Sequence, residues 1–260
     1  MRHNEEFTPL MSATKTNPTF YDDQLRLLLG NEPERLERIH RDPDNLELLT
    51  WNVFASLETH TDRDYLAYRM QQFGGSAVRA PVKTSLWTGR DREPRLMPSS
   101  GYVTAVRQRA QSAGGGAAAT QDLEAALEVP VRLESPDMLM LVDTMWDRYP
   151  PGQGGRDRII ELVDAGLDHA RRLSKILAVT VVYRSGTSGA ADVSMRMREL
   201  RDRAVLAEQL PHRASVPAVV LRELPWQQLA RVWQQEIKYL RLGGQPVRGF
   251  IQHLRGLGLL

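Results

Sequence analysis

The chain has no cysteine among its 260 residues. That single absence excludes disulfides, thiolate zinc sites and cysteine nucleophiles. Lysine is scarce: Lys15, Lys83, Lys175 and Lys238 are the four present in a Lys+Arg total of 34. The other basic residues are arginines, whose planar fork suits phosphate, although nucleotide bias in a GC-rich genome explains the skew more simply. The formal net charge is only +2, so attraction to nucleic acid would have to come from a local patch. No apolar run approaches a membrane span, and Met1 to Phe20 lacks the apolar stretch of a signal peptide. The expectation is a cytoplasmic protein without a membrane partner.

What is present is ordinary for a folded chain. Hydrophobic residues make up 42% and charged residues 25%, enough for a real core. The length fits one compact domain with decorations. Residues 1–20 carry Pro9 and Pro18 without periodicity and read as a flexible tail, so the domain is expected over 21–260. Within it, Gly114, Gly115 and Gly116 followed by three alanines mark a Gly/Ala-rich insertion near 111–120.

From Asn45 to Glu58 the apolar positions Leu46, Leu49, Val53, Phe54 and Leu57 follow helical spacing, continuing toward Met70 and Phe73 until Gly74 and Gly75. One face is expected to be core, with Glu58 at the edge of the stripe. Val78 to Trp87 reads as a strand weakened by Pro81, and Gly101 to Arg109 as a short helix. Val129 to Leu133 and Asp137 to Trp146 read as a hairpin. Met138 to Val142, apolar on both faces, marks a central strand covered by helices on both sides. A helix over Arg156 to Leu173, a strand over Ile176 to Tyr183 and a further strand near Val216 to Leu221 follow. Helices are expected over Asp192 to Glu208 and Pro225 to Leu242. The fold class is therefore α/β, a mixed sheet flanked by helices with extra helices at the C-terminus.

This order resembles the PD-(D/E)XK, or restriction-endonuclease-like, nuclease superfamily, and within it a group of bacterial proteins. Leu49 to Phe54 ending at Leu57-Glu58 is similar to their first core helix. Leu133 to Asp137 with Leu139 to Trp146 is similar to their central hairpin. Arg156-Asp157-Arg158 and Leu224 to Leu229 also sit where that group has similar residues. The likeness spans roughly Asn45 to Trp233.

The resemblance implies acidic residues that hold Mg2+, which activates water at the scissile phosphate, and a lysine two positions from one of them on the same strand face. The motif falls on Asp143-Thr144-Met145, so the acid is kept and Met145 replaces the lysine. The earlier aspartate position falls on or near Pro130, which has no ligand to offer. Glu58, Asp143 and Glu128 remain as a weak potential Mg2+ set, with Lys83 or Lys175 as conceivable substitutes for the lysine. The leading expectation is a catalytically impaired or inactive domain that binds DNA or a protein partner. The alternatives are an active Mg2+-dependent DNA endonuclease using Glu58 and Asp143, and a structural interaction domain of a multiprotein complex. A homodimer is also within what the resemblance implies.

The residues themselves add one argument. A carboxylate ending so apolar a strand as Asp143 does needs a charged or hydrogen-bonding partner if it is buried. The other constellations carry less. The six histidines show no metal-ligand spacing. Gly186-Thr187-Ser188-Gly189 lacks the phosphate-loop pattern and reads as a plain loop. Arg196, Arg198, Arg201 and Arg203 are interleaved with Glu199 and Asp202, which favours a salt-bridged solvated face. Trp226 and Trp233, seven residues apart, share one helical face and read as core or interface.

Overall fold

A computed structural model describes residues 17–60, 62–75, 77–88, 95–112, 114, 122–146 and 156–260. The loop over Arg90 to Pro94, most of the Gly/Ala-rich insertion, and residues 147–155 lie outside this set. So do residues 1–16 of the expected tail. Asn17 to Phe20, the rest of that tail, are docked, so packing begins by Asn17. The Asn52 side chain accepts from the Phe20 amide at 3.0 Å and donates to Asn17 and to the Pro18 carbonyl, and Trp51 Nε1 donates to the Phe20 carbonyl.

The helices α1 (Asp22–Leu28), α2 (Pro33–Arg41), α3 (Leu46–Thr59) and α4 (Arg63–Gly74) precede the first strand. Asn45 caps α3 by accepting from the Glu47 and Leu48 amides, as short polar side chains do at helix starts. The continuous helix expected from Asn45 to Phe73 is instead two. Asp62 accepts from the Asp64 and Tyr65 amides, so a new helix starts there. Nor does α3 bury one face only: every residue from Leu48 to Leu57 is buried. The sheet, the later helix that begins at Trp226 and the Asn17–Phe20 strap enclose it.

Strand β1 (Lys83–Thr88) is followed by α5 (Ser100–Ser112), then β2 (Val129–Glu134) and β3 (Met138–Thr144). The crossover helix α6 (Arg158–Arg172) leads to β4 (Ile176–Tyr183), α7 (Ser188–Leu200), α8 (Arg203–Gln209), β5 (Val219–Pro225), α9 (Trp226–Gln235) and α10 (Gly244–Gly256). The helix expected over 192–208 is broken by Asp202, which caps α8. The last strand starts at Val219 rather than Val216. The helix expected to run to Leu242 stops at Gln235, and α10 follows as a separate element.

The five strands lie in sequence order. β1, β2 and β3 are antiparallel neighbours, while β3, β4 and β5 are parallel. β3 is the middle strand, as its two-sided apolar pattern requires. Among the described residues, one core packs Val131, Leu133, Met140, Val142 and Ala178 against α1 to α4, α9 and α10. The other packs Leu139, Leu141, Leu177, Val179 and Val181 against α5 to α8. Gly166 brings α6 down onto the sheet: a Cβ there would lie 2.8 Å from Leu177 Cδ1 and 3.0 Å from Leu141 Cδ1. At the far side Phe20 meets Trp233 and Phe250, with ring centroids 5.6 and 5.4 Å away. No helix among the described residues is long and apolar enough to cross a membrane.

Candidate functional site

The β2–β3 register, with Val131 opposite Val142 and Arg132 opposite Leu141, sets Pro130 opposite Asp143 on the α6 side of the sheet. Asp143 is buried, 6% exposed. Its partner is Arg158, the first residue of α6, whose Nε and Nη2 reach the two carboxylate oxygens at 3.3 Å each. Arg158 Nη2 also donates to the Glu128 carbonyl. Burial works to lower the Arg158 pKa, but attraction and hydrogen bonding to Asp143 more than offset it, so the guanidinium is held above its ordinary value. The Arg158 charge thus has its counter-charge beside it, where an unpaired charge would be costly.

Met145 follows two residues later, buried at 7% exposure in the α6-side core. Its amide donates to the Val182 carbonyl and its carbonyl accepts from Trp226 Nε1. The thioether is core packing here. Trp226 and Trp233 are themselves buried at 1%.

The Glu128 carboxylate is held by another arginine. It accepts two bonds from Arg35 at 2.8 Å each. Arg35 also reaches Glu32 and Glu47 and lies 4.9 Å over the Trp87 ring, which stacks on Trp51. Burial lowers the Arg35 pKa and these carboxylates raise it further, leaving it well above the ordinary value. The three acids border an open cleft of about 480 Å³, and Arg35 fills the place a cation would take among them.

Glu58 lies on α3, and its side chain falls outside the described residues. α3 covers the sheet face opposite the one that carries Asp143. It meets β3 through Thr50, whose hydroxyl donates to Thr144 at 3.2 Å. Glu58 is eight residues further on, about 12 Å along the helix. Glu128 and Asp143 are held by different arginines, Arg35 and Arg158. Lys175 binds Glu134 at 2.6 Å, beside the start of β3, and Lys83 is aligned with Glu134 from β1. Both lysines sit at the opposite end of β3 from Asp143. Among the described residues no group of three or more histidines and acids is placed to hold a metal ion.

A second buried acid was not singled out by sequence reasoning. Asp164, in the middle of α6, is 0% exposed. It accepts from the Ser99 amide at 2.7 Å and hydroxyl at 3.1 Å, from Arg213 Nε at 2.8 Å and Nη2 at 2.6 Å, and is 2.8 Å from His212 Nε2. Ser99 Oγ is also 3.1 Å from His212 Nε2. Serine, histidine and aspartate are thus adjacent, but both oxygens crowd one ring nitrogen. A general base must offer that nitrogen to the serine while the acid holds the other. Here Nδ1 is buried without a partner, and Ser99 Oγ caps α5 by accepting from the Tyr102 amide. The group ties α5, α6 and the segment after α8 together. Ser99 and Arg213 lie 65 and 49 residues from Asp164, so no local pattern announces it.

Comparison with protein-family models, with curated proteins and with solved structures finds no match. The reading of the site rests on its geometry.

Of the remaining constellations, the arginine cluster is salt-bridged in part as expected, while the segment read as a plain loop from Gly186 to Gly189 is a helix start, with Ser188 and Gly189 inside α7. Arg196 pairs with Asp157 at 2.7 Å and Glu199 at 3.2 Å, and Arg201 with Glu223 at 3.4 Å. Thr187 caps α7 by accepting from the Ala190 amide, so Gly186 and Thr187 serve a helix start.

Proposed function

We propose that this chain is a restriction-endonuclease-like domain of the PD-(D/E)XK kind that binds without cutting. The order of α3, three antiparallel strands, α6 and the parallel β4 supports the likeness. The observation that carries the non-catalytic reading is the Arg158 guanidinium seated on the Asp143 carboxylate. Mg2+ is bound through oxygen ligands, and a fixed cation at both oxygens of the one motif acid opposes a second. Pro130 supplies no ligand opposite it. Met145, packed in the core, supplies no proton or charge beside it. Neither of these two side chains offers a group to orient a water nucleophile. Such a domain acts through its surface, on DNA or on a protein partner, and the lack of cysteine is compatible with the cytoplasm.

The test is cleavage of supercoiled and linear DNA with Mg2+ or Mn2+, beside a Glu58→Ala, Asp143→Ala double variant. The expected result is no cleavage by either protein and no rise in melting temperature on adding Mg2+. Cleavage by the wild type that disappears in the variant would make this a Mg2+-dependent endonuclease with a rearranged site.

A further inference from the structure

The two C-terminal helices carry the same exposed pattern twice. Gln228, Arg231, Gln235 and Lys238 recur as Gln245, Arg248, Gln252 and Arg255, each 17 residues later, and all eight are exposed. Spacings of three and four residues put each set on one side of a helix, with Lys238 in the turn just after α9. The inner sides are fixed by Trp226, Leu229 and Trp233 on α9 and by Val247, Phe250 and Leu254 on α10, and Trp233 meets Phe250 at 4.8 Å. The helices are neighbours in one layer, and their polar stripes look outward from it.

The charge of this layer is one-sided. From Trp226 to Leu260 the chain has five cations, Arg231, Lys238, Arg241, Arg248 and Arg255, and one acid, Glu236. Glu236 is buried, paired with Arg69 and bonded by Tyr65. No ion pair among the described residues involves any of the five cations, and Asp44, 4.0 Å from His253, marks the border of the layer. Arg196 of α7 shows the contrast, since it pairs with Asp157 and Glu199.

We infer that the outer face of α9 and α10 is a docking surface for the phosphate backbone of nucleic acid. Protein interfaces are built around desolvated apolar and aromatic anchors, whereas nucleic-acid interfaces are polar and strongly positive. Tyr239 is the one large hydrophobic side chain exposed between Trp226 and Leu260, and the rest of the face is amide and cation. Arginine and glutamine are residues that contact phosphate and sugar, and long-range charge is what a chain of net +2 must gather locally. The inference names the partner that the non-cutting reading leaves open, and rests on that reading for the expectation that binding leaves the strand intact.

The experiment compares the full chain with two triple variants of equal charge. Arg231→Gln, Arg248→Gln, Arg255→Gln removes the stripe. Arg109→Gln, Arg171→Gln, Arg198→Gln removes three exposed arginines from the helices on the other side of the sheet. Binding of a duplex DNA and of a single-stranded RNA is measured across a salt series, with poly-L-glutamate as the acidic polypeptide probe. The expected result is salt-sensitive binding of one or both nucleic acids. The stripe variant should lose about tenfold or more in duplex affinity, with a salt slope shallower by about 2.7, and the control variant should stay within about twofold of wild type. Equal losses in the two variants would overturn the inference, leaving net charge alone. It is likewise overturned if neither nucleic acid binds, or if poly-L-glutamate is bound while nucleic acid is not. Cleavage of the duplex in the same samples would sink the non-cutting reading and leave the docking face standing.

Discussion

Asp143, beside the start of α6, and Asp164, within it, are both buried carboxylates neutralised by an arginine, yet they are built differently. Asp143 ends a strand, is 6% exposed and has two bonds of 3.3 Å from one arginine. Asp164 sits mid-helix with no exposure and gathers Ser99, His212 and Arg213 at 2.6 to 3.1 Å. On the proposed reading, the first is a motif position whose chemistry has been lost. The second is a fastening between elements far apart in sequence. Burial of an acid alone does not separate the two; the number and span of its partners does.

The comparison can be broken by substitution. Asp164→Ala should have the largest effect, because Arg213 and the Ser99 amide lose their acceptor. Removing one partner of a buried pair costs about 3–5 kcal/mol, so chemical denaturation should show a loss of that size or no folded protein. Arg158→Met leaves Asp143 unpaired and should cost about 2 kcal/mol, reduced by the partial exposure of the arginine. Adding Asp143→Asn should recover most of that loss in a double-mutant cycle. A full additive loss would mean that the two side chains do not act as a pair.

A pH series sharpens it further. The His169 pKa is lowered by burial and by the Arg132 and Arg172 charges, and burial lowers that of His253 against the pull of Asp44. The unfolded chain therefore binds these protons more readily. Stability is fully present above the ordinary histidine value of about 6.5 and is lost as pH falls below it toward the folded values. The denaturation midpoint should fall over that range, and His169→Gln should shrink the fall, leaving the His253 part. The smallest effect belongs to the rim: Arg38, 60% exposed beside Glu47, should change stability by less than about 0.5 kcal/mol when replaced by alanine.

The strands were legible where the signal was a run of apolar residues. Met138 to Val142 and Ile176 to Tyr183 are central because few other places accept such runs. The breaks at Asp62 and Asp202 were not, since the apolar spacing carries across a helix joint and only the capping bonds reveal it. α3 looked one-sided because Thr50, Asn52 and Ser56 are polar, but their bonds are made inside the fold. The need of Asp143 for a charged partner could be read from its strand. Arg158 could not be named, since it lies fifteen positions further along the chain. The outward stripe of α9 and α10 was written in the sequence as a repeat, and became meaningful once both inner faces were known.

The strap from Asn17 to Phe20 sets an order of events. Phe20 rests on Trp233 and Phe250 as well as on α3. A chain made from its N-terminus therefore carries the Phe20 side chain without these partners until α10 has been made. The strap's neighbours in space are among its most distant in sequence, so it is made early and seated late.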